Sequence, residues 1–160
     1  MSLLRRDAAP FAQQVPALRQ ALVEQSARRP GSALVPQRLL VDGMNVIGCR
    51  PDGWWKDRDA AMSRLVDLLE RWSAASGYDV TVVFERKPRP PLSSPVIEIA
   101  HAPKPGPNAA DHEIVRRVRD DPSPRSLRVV TSDHMLGDLV FGLGATVEPA
   151  AAFRDRIERD

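Results

Sequence analysis

From Arg38 to the C-terminus, short runs of apolar residues alternate with longer segments in which apolar residues recur at helical spacing. Short apolar runs bounded by turn residues predict strands that are buried on both faces, whereas the longer pattern predicts amphipathic helices. Strands that alternate with helices form right-handed crossovers and a mainly parallel sheet with helices on both faces. The sequence therefore predicts an α/β fold, a three-layer α/β/α sandwich.

The predicted strands are 38–43, 80–84, 96–100, 127–131 and 145–147, and the predicted helices are 57–76, 111–119, 132–143 and 149–159. We expect the segment between the first strand and the first helix, rich in glycine, proline and tryptophan, to form a loop. Residues 1–36 contain four prolines and one segment with helical spacing, at 17–28. They predict an N-terminal arm with one amphipathic helix, followed by one domain over 37–160.

The composition sets the class of protein. The chain has 160 residues, and cores usually divide into several domains only beyond about 250 residues. Its 42% hydrophobic and 28% charged residues are typical of globular proteins and exclude global disorder. No apolar run approaches the roughly 20 residues that cross a bilayer, and the N-terminus lacks the apolar centre of a signal peptide. Because Cys49 is the single cysteine, no internal disulfide can form, and we expect a cytoplasmic protein.

Three acidic residues are predicted to lie at one edge of the sheet. Asp42 follows the first strand, Asp133 follows the fourth, and Asp111 opens the helix after the third. The carboxyl ends of parallel strands meet at the same edge, where ligands bind in such folds. Clustered carboxylates repel one another, and Mg²⁺ or Mn²⁺ relieves that repulsion. Each acid taken alone is better explained as a helix cap, but together they predict a metal site for phosphate chemistry.

Further polar residues flank these acids. Asn45 lies in the same corner as Asp42 and can orient a ligand or water without adding charge. Ser132 and Thr131 precede a helix, where a hydroxyl can either bind phosphate or cap the helix. Asp138 is five residues beyond Asp133, about 140° around the helix, so we expect it either to be solvated or to support the site without binding the metal directly.

Four segments in this order resemble the motifs of the NYN domain, and more narrowly its YacP-like branch within the PIN-like nuclease superfamily. They are LVDGMNVIG at 40–48, VVF at 82–84, NAADHEIV at 108–115, and VTSD at 130–133 followed by GLGA at 142–145. Four motifs at plausible spacing are far more specific than any one of them. The resemblance covers the chain from about Arg38 to the C-terminus.

The resemblance implies a PIN-like fold and a metal-dependent endoribonuclease that hydrolyses RNA phosphodiester bonds with a metal-activated water. The positions that match the family's site motifs imply a catalytic set of Asp42, Asn45, Asp111 and Asp133, of which Asp42, Asp111 and Asp133 would bind Mg²⁺ or Mn²⁺. The sequence departs from the family at Glu85, Ala110 and Met44, where many relatives carry aspartate, a further acid and tyrosine. These departures keep open an alternative, a catalytically decayed NYN-type RNA-binding or ribosome-associated module.

The loops at the same edge carry residues suited to RNA. The net charge of +2 by itself predicts no polyanion partner. The prediction of RNA binding therefore depends on where individual side chains lie. Exposed indoles can stack on unpaired bases, and basic side chains can follow a phosphate backbone. The predicted RNA contacts are Trp54, Trp55, Arg86, Lys87, Arg89 and Lys104. Glu85, Ser132 and Asp138 are the predicted supporting residues of the site.

Overall fold

The structure is a computed structural model that describes residues 37–160. Its strands are β1 (Arg38–Asp42), β2 (Asp79–Phe84), β3 (Glu98–His101), β4 (Leu127–Val130) and β5 (Thr146–Glu148). Its helices are α1 (Gly43–Gly48), α2 (Arg58–Ser76), α3 (Ala109–Asp120), α4 (His134–Gly142) and α5 (Ala150–Arg159). The predicted N-terminal arm and its helix at 17–28 lie outside the described residues.

The five strands form one parallel sheet in the order β3-β2-β1-β4-β5. In the central strand β1, Val41 lies opposite Val82 of β2 and Val130 of β4. These three side chains are completely buried. The apolar runs in the sequence therefore form strands that are covered on both faces, and the predicted α/β class is confirmed.

Helices cover both faces of the sheet. Leu39 and Val41 pack on one face with α1, α2 and α5, and Leu40 packs on the other face with α3 and α4. Neighbouring residues of β1 thus belong to different halves of the core, as the alternation of side chains along a strand requires. The result is the predicted three-layer sandwich.

The prediction of a loop after the first strand is wrong in part. Residues 43–48 form α1, and Trp54–Lys56 form a turn of 3-10 helix. With six residues, α1 is too short to show a helical repeat in the sequence. It starts where Gly43 packs against Phe84, and a Cβ on Gly43 would lie only 2.6 Å from a ring carbon of Phe84. Gly43 is therefore needed for the close approach of α1 to β2, and its backbone conformation is ordinary.

The other predicted elements are confirmed, with shifts at their ends. β4 ends at Val130 and α4 begins at His134, so Thr131 lies outside the strand and Ser132 and Asp133 outside the helix. The Asp133 side chain accepts a hydrogen bond from the backbone N–H of Leu136 at 3.0 Å, which makes Asp133 the N-cap of α4. Within residues 37–160, no helix is both long and apolar enough to span a bilayer.

Candidate active site

The three predicted acids occupy the carboxyl edge of the sheet. Asp42 is the last residue of β1, Asp133 lies between β4 and α4, and Asp111 lies in the first turn of α3. They are close enough for their charges to interact, since Asp111 and Asp133 both raise the pKa of Asp42, and Asp133 raises that of Asp111. The parallel crossovers thus bring together carboxylates from distant parts of the chain.

Asp42 is the most strongly perturbed of these acids. Only 3% of the Asp42 surface is exposed to solvent. Burial, followed by the charge of Asp111, raises its pKa to about 6, although a hydrogen bond from Thr131 acts in the opposite direction. At neutral pH the carboxylate is therefore charged in an environment that disfavours the charge, and a bound cation would relieve this cost.

The Thr131 hydroxyl connects two of the acids. It donates to Oδ2 of Asp42 at 3.1 Å and accepts from the backbone N–H of Asp133, also at 3.1 Å. Through these two hydrogen bonds, the Thr131 hydroxyl fixes the position of the Asp42 carboxylate relative to Asp133, the N-cap of α4. The sequence suggested phosphate binding or capping for Thr131, and the structure shows this bridge instead.

Asn45 and Ser132 tie the neighbouring segments together. Oδ1 of Asn45 accepts from the backbone N–H of Ser132 at 2.9 Å, and Oγ of Ser132 accepts from the backbone N–H of Ala150 at 2.9 Å. The first links α1 to the β4–α4 loop, and the second links that loop to the start of α5. Asn45 and Ser132 therefore position the segment that carries Asp133.

Asp111 is half-buried in the first turn of α3. Its pKa is raised by burial and by Asp133, and the neighbouring His112 partly offsets the rise. The preceding Asn108 adopts a left-handed conformation with φ of 58° and begins α3 without a side-chain cap. Asparagine tolerates this conformation better than most residues. The left-handed turn sets the direction in which the first turn of α3 meets the carboxyl edge of the sheet.

The described residues contain no group of three or more histidine, cysteine or acidic side chains close enough to form one metal coordination sphere. Asp42, Asp111 and Asp133 interact electrostatically over longer distances. Mg²⁺ usually takes only one or two protein carboxylates, and water and substrate phosphate complete its shell. The predicted ligand set of these three acids, with Mg²⁺ or Mn²⁺, stays a prediction.

Glu85 and Asp138 are two of the predicted supporting residues. Glu85 accepts a hydrogen bond from Arg58 at 3.4 Å. Arg86 forms an ion pair with Asp59 at 2.8 Å. Asp138 is exposed on α4, where it lines a cleft beside the site.

The predicted RNA contacts lie on loops that follow β2, β3 and α1. Trp55 is 52% exposed, whereas Trp54 packs partly against the core with the Arg58 guanidinium 5.3 Å from its ring centre. The basic side chains of Lys87, Arg89 and Lys104 are exposed, so four predicted contacts, counting Trp55, remain accessible in the described part of the chain.

The sequence is matched by the family model of the YacP-like NYN domain over residues 39–160. The chain belongs to the YacP-like NYN family. This family is nuclease-like, which agrees with an acidic edge on a parallel sheet. No curated protein matches the sequence.

Two solved structures share the fold of this YacP-like NYN domain. A crystal structure of Rae1 (YacP) from Bacillus subtilis is 24% identical, covers 76% of this chain and 75% of its own, and has a TM-score of 0.60. A tryptophan-to-leucine mutant of the same protein is 25% identical, covers 76% of this chain and 77% of its own, and has a TM-score of 0.57.

Sequence reasoning missed two parts of this site. One is the Thr131 bridge, whose only sequence signal is a hydroxyl residue between a strand and an acid. The other is the cleft along α4, for which the signal is Gly137 inside an apolar helical segment. The bridge depends on Asp42, which lies 89 positions away in the sequence, and the cleft depends on how Val147 and Pro149 pack beside α4.

Proposed function

We propose that this YacP-like NYN protein is a metal-dependent endoribonuclease that hydrolyses RNA phosphodiester bonds. The observation that supports the proposal most strongly is the buried Asp42 carboxylate, whose pKa is raised to about 6 beside two further acids. Perturbed carboxylates that share one edge are typical of hydrolytic sites. The structure offers no described basic side chain that neutralises Asp42 through an ion pair, which leaves that role to a cation.

The donor chemistry fits Mg²⁺ or Mn²⁺. Both are hard cations that prefer oxygen ligands, and the edge supplies carboxylate oxygens from Asp42, Asp111 and Asp133. Oδ1 of Asp133 caps α4, so Oδ2 is its oxygen for a ligand. We assign Asp42 as the principal ligand and Asp111 and Asp133 as the others. When bound, the metal would lower the pKa of a coordinated water and so favour its deprotonation for attack on a phosphodiester.

The side chains around the acids hold this arrangement in place. Thr131 orients the Asp42 carboxylate, and Asn45 fixes the loop that carries Asp133. No nucleophilic side chain is needed, since water attacks the phosphorus and the leaving oxygen departs from it. The exposed Trp55, with Lys87, Arg89 and Lys104, provides stacking and phosphate contacts for a single strand of RNA.

The direct test is cleavage of a labelled single-stranded RNA by the purified full chain in Mn²⁺ or Mg²⁺. We expect cleavage that stops in chelator, and a loss of at least about 100-fold for Asp42→Asn, because the variant removes a charged ligand. The matched control is Asp67→Asn, which makes the same change at an exposed acid of α2. Cleavage by Asp42→Asn at the rate of the control would overturn the proposal.

A second readout does not depend on activity. Binding of Mn²⁺ to the folded state raises the melting temperature by mass action. We expect this rise for the wild type and for Asp67→Asn, and a much smaller rise for Asp42→Asn. An equal rise in all three proteins would mean that the ion binds elsewhere.

The alternative function is an RNA-binding or ribosome-associated module without catalysis. It is favoured by one observation. Among residues 37–160, no three carboxylates lie close enough together to form one metal coordination sphere. It predicts RNA affinity that is unchanged by chelator and by Asp133→Asn, together with no cleavage in either metal. The two functions therefore differ in the first experiment.

A further inference from the structure

A cleft runs from the acidic edge along the outer side of α4, beside the edge strand β5. Its volume is about 460 Å³, which lies within the range of about 300–1,000 Å³ that is usual for ligand sites. Thr131, Ser132 and Asp133 line the end next to the acids. The cleft is thus continuous with the site at which the scissile phosphate is proposed to bind.

The walls of the cleft change character along its length. The end near Asp133 is polar, and His134 and Asp138 extend it along α4. Phe141, near the C-terminal end of α4, and Val147 of β5 give the cleft apolar surface, whereas Pro149 lies beside Ser132 at the polar end. A nucleotide has the same distribution, because its phosphate is charged and its base presents flat apolar faces with a polar edge.

Phe141 is the most exposed aromatic residue in the described part of the chain. It is 70% exposed, although it belongs to a helix whose Leu136 and Val140 are buried in the core. Such exposure leaves a ring face available for stacking on a base, a contact that tolerates any base. Leu139 is also exposed on α4, but it lies on the other flank of the helix and does not line the cleft.

Gly137 forms part of the cleft inside α4, where glycine is normally unfavourable. Packing does not require it. An added Cβ would meet only Val147, at 3.6 Å, which is an ordinary contact distance. The backbone conformation does not require it either, since its φ is not positive. The missing side chain leaves open space in the cleft.

We propose that this cleft binds an unpaired nucleobase of the RNA, next to the phosphate held at the acidic edge. Phe141 stacks on the base, Val147 packs beside it, and Gly137 leaves room for it. The proposal deepens the proposed function, on which it rests, by assigning a base site to the same RNA substrate.

The test measures the affinity of the full chain for a fluorescent single-stranded RNA by anisotropy, in chelator so that the RNA stays intact. Removing a stacked ring costs about fivefold or more in affinity. We expect that loss for Phe141→Ala and no change for Leu139→Ala, which truncates an exposed side chain on the opposite flank. The same comparison is made with an abasic oligonucleotide of equal length, on which Phe141→Ala is expected to bind as well as the wild type.

Gly137→Ala provides a second variant. We expect its melting temperature to stay level or rise, and its RNA affinity to fall, because the methyl group occupies space in the cleft. A fall in melting temperature would show that the fold itself needs the glycine, and would overturn this part of the argument.

The outcomes separate the cleft from the catalytic proposal. A loss for Phe141→Ala that is equal on RNA and on the abasic oligonucleotide, or equal to that of Leu139→Ala, overturns the base site. RNA binding that depends on Phe141 without any cleavage in Mn²⁺ supports the base site and overturns the nuclease. If Phe141→Ala cleaves RNA as fast as the wild type and binds it with the same affinity, the nuclease is supported and the base site is overturned. No binding of RNA by the wild type in chelator overturns the base site, whereas the nuclease is judged by cleavage in Mn²⁺.

Discussion

At the scale of single residues, Asp42 is the most informative, because burial of its charge destabilises the folded protein. Its pKa is raised from 3.8 to about 6, so the folded state holds a proton more tightly than the unfolded chain. Stability therefore falls as the pH rises from about 4 to about 6, and above that range the penalty is constant. The shift corresponds to about 3 kcal/mol.

This leads to a prediction for Asp42→Asn in the absence of divalent cations. At pH 8 the variant should have the higher free energy of unfolding, by up to about 3 kcal/mol, because asparagine carries no buried charge. The difference should shrink towards pH 4, because the buried carboxyl of the folded state becomes protonated below its pKa of about 6. Urea unfolding at the two pH values measures it. A variant that is less stable than the wild type by the same amount at both pH values would contradict the assignment.

The Thr131 hydroxyl is the second residue whose role can be measured. Thr131→Val keeps the shape but leaves the Asp42 carboxylate and the N–H of Asp133 without this partner. We expect a loss of about 1–3 kcal/mol in the free energy of unfolding at pH 7. Thr131→Ser retains the hydroxyl and serves as the control. If both variants unfold at the same urea concentration as the wild type, the bridge does not stabilise the site.

At the scale of elements, α1 depends on its close contact with β2. The Cβ in Gly43→Ala would lie 2.6 Å from the buried ring of Phe84, so the helix has to move away from the sheet. Overpacking of this kind costs about 1–3 kcal/mol. Gly142→Ala is the control, since a Cβ there meets nothing within 4 Å. Chemical denaturation of the two variants should show a loss only for Gly43→Ala, and equal stability would contradict the packing argument.

The elements also show how far the sequence determines the fold. Long helices such as α2 and apolar strands such as β1 were predictable because each carries its own period over enough residues. α1 was missed because its six residues do not complete two turns. The end of β4 was misplaced at Thr131 because a β-branched residue favours a strand, whereas the cap formed by Asp133 decides where α4 begins.

The site was predictable in its position but not in its contacts. Asp42 and Asp133 could be placed at the carboxyl edge because they follow apolar runs. The bond between Asn45 and Ser132 joins residues 87 positions apart, and that between Thr131 and Asp42 joins residues 89 apart. Such pairs depend on how the packed elements orient their side chains, and the periodicity of a sequence contains no information about that.

At the scale of the whole molecule, the parallel topology carries the functional argument. β1 lies between β2 and β4, so the ends of β1 and β4 are neighbours and α3 approaches them from one face. Every strand contributes its carboxyl end to one edge, and charges from distant segments therefore interact there. The same topology leaves β5 at the border of the sheet, where the cleft beside α4 continues the site.

The most direct measurement of the central claim is an anomalous diffraction map of crystals soaked in Mn²⁺. We expect a manganese peak at coordination distance, about 2.0–2.2 Å, from a carboxylate oxygen of Asp42 and from Asp111 or Asp133. The peak should disappear in crystals of Asp42→Asn. A manganese ion bound away from Asp42, or an acidic edge that stays without metal at saturating Mn²⁺, would contradict the claim that these acids form one cation site.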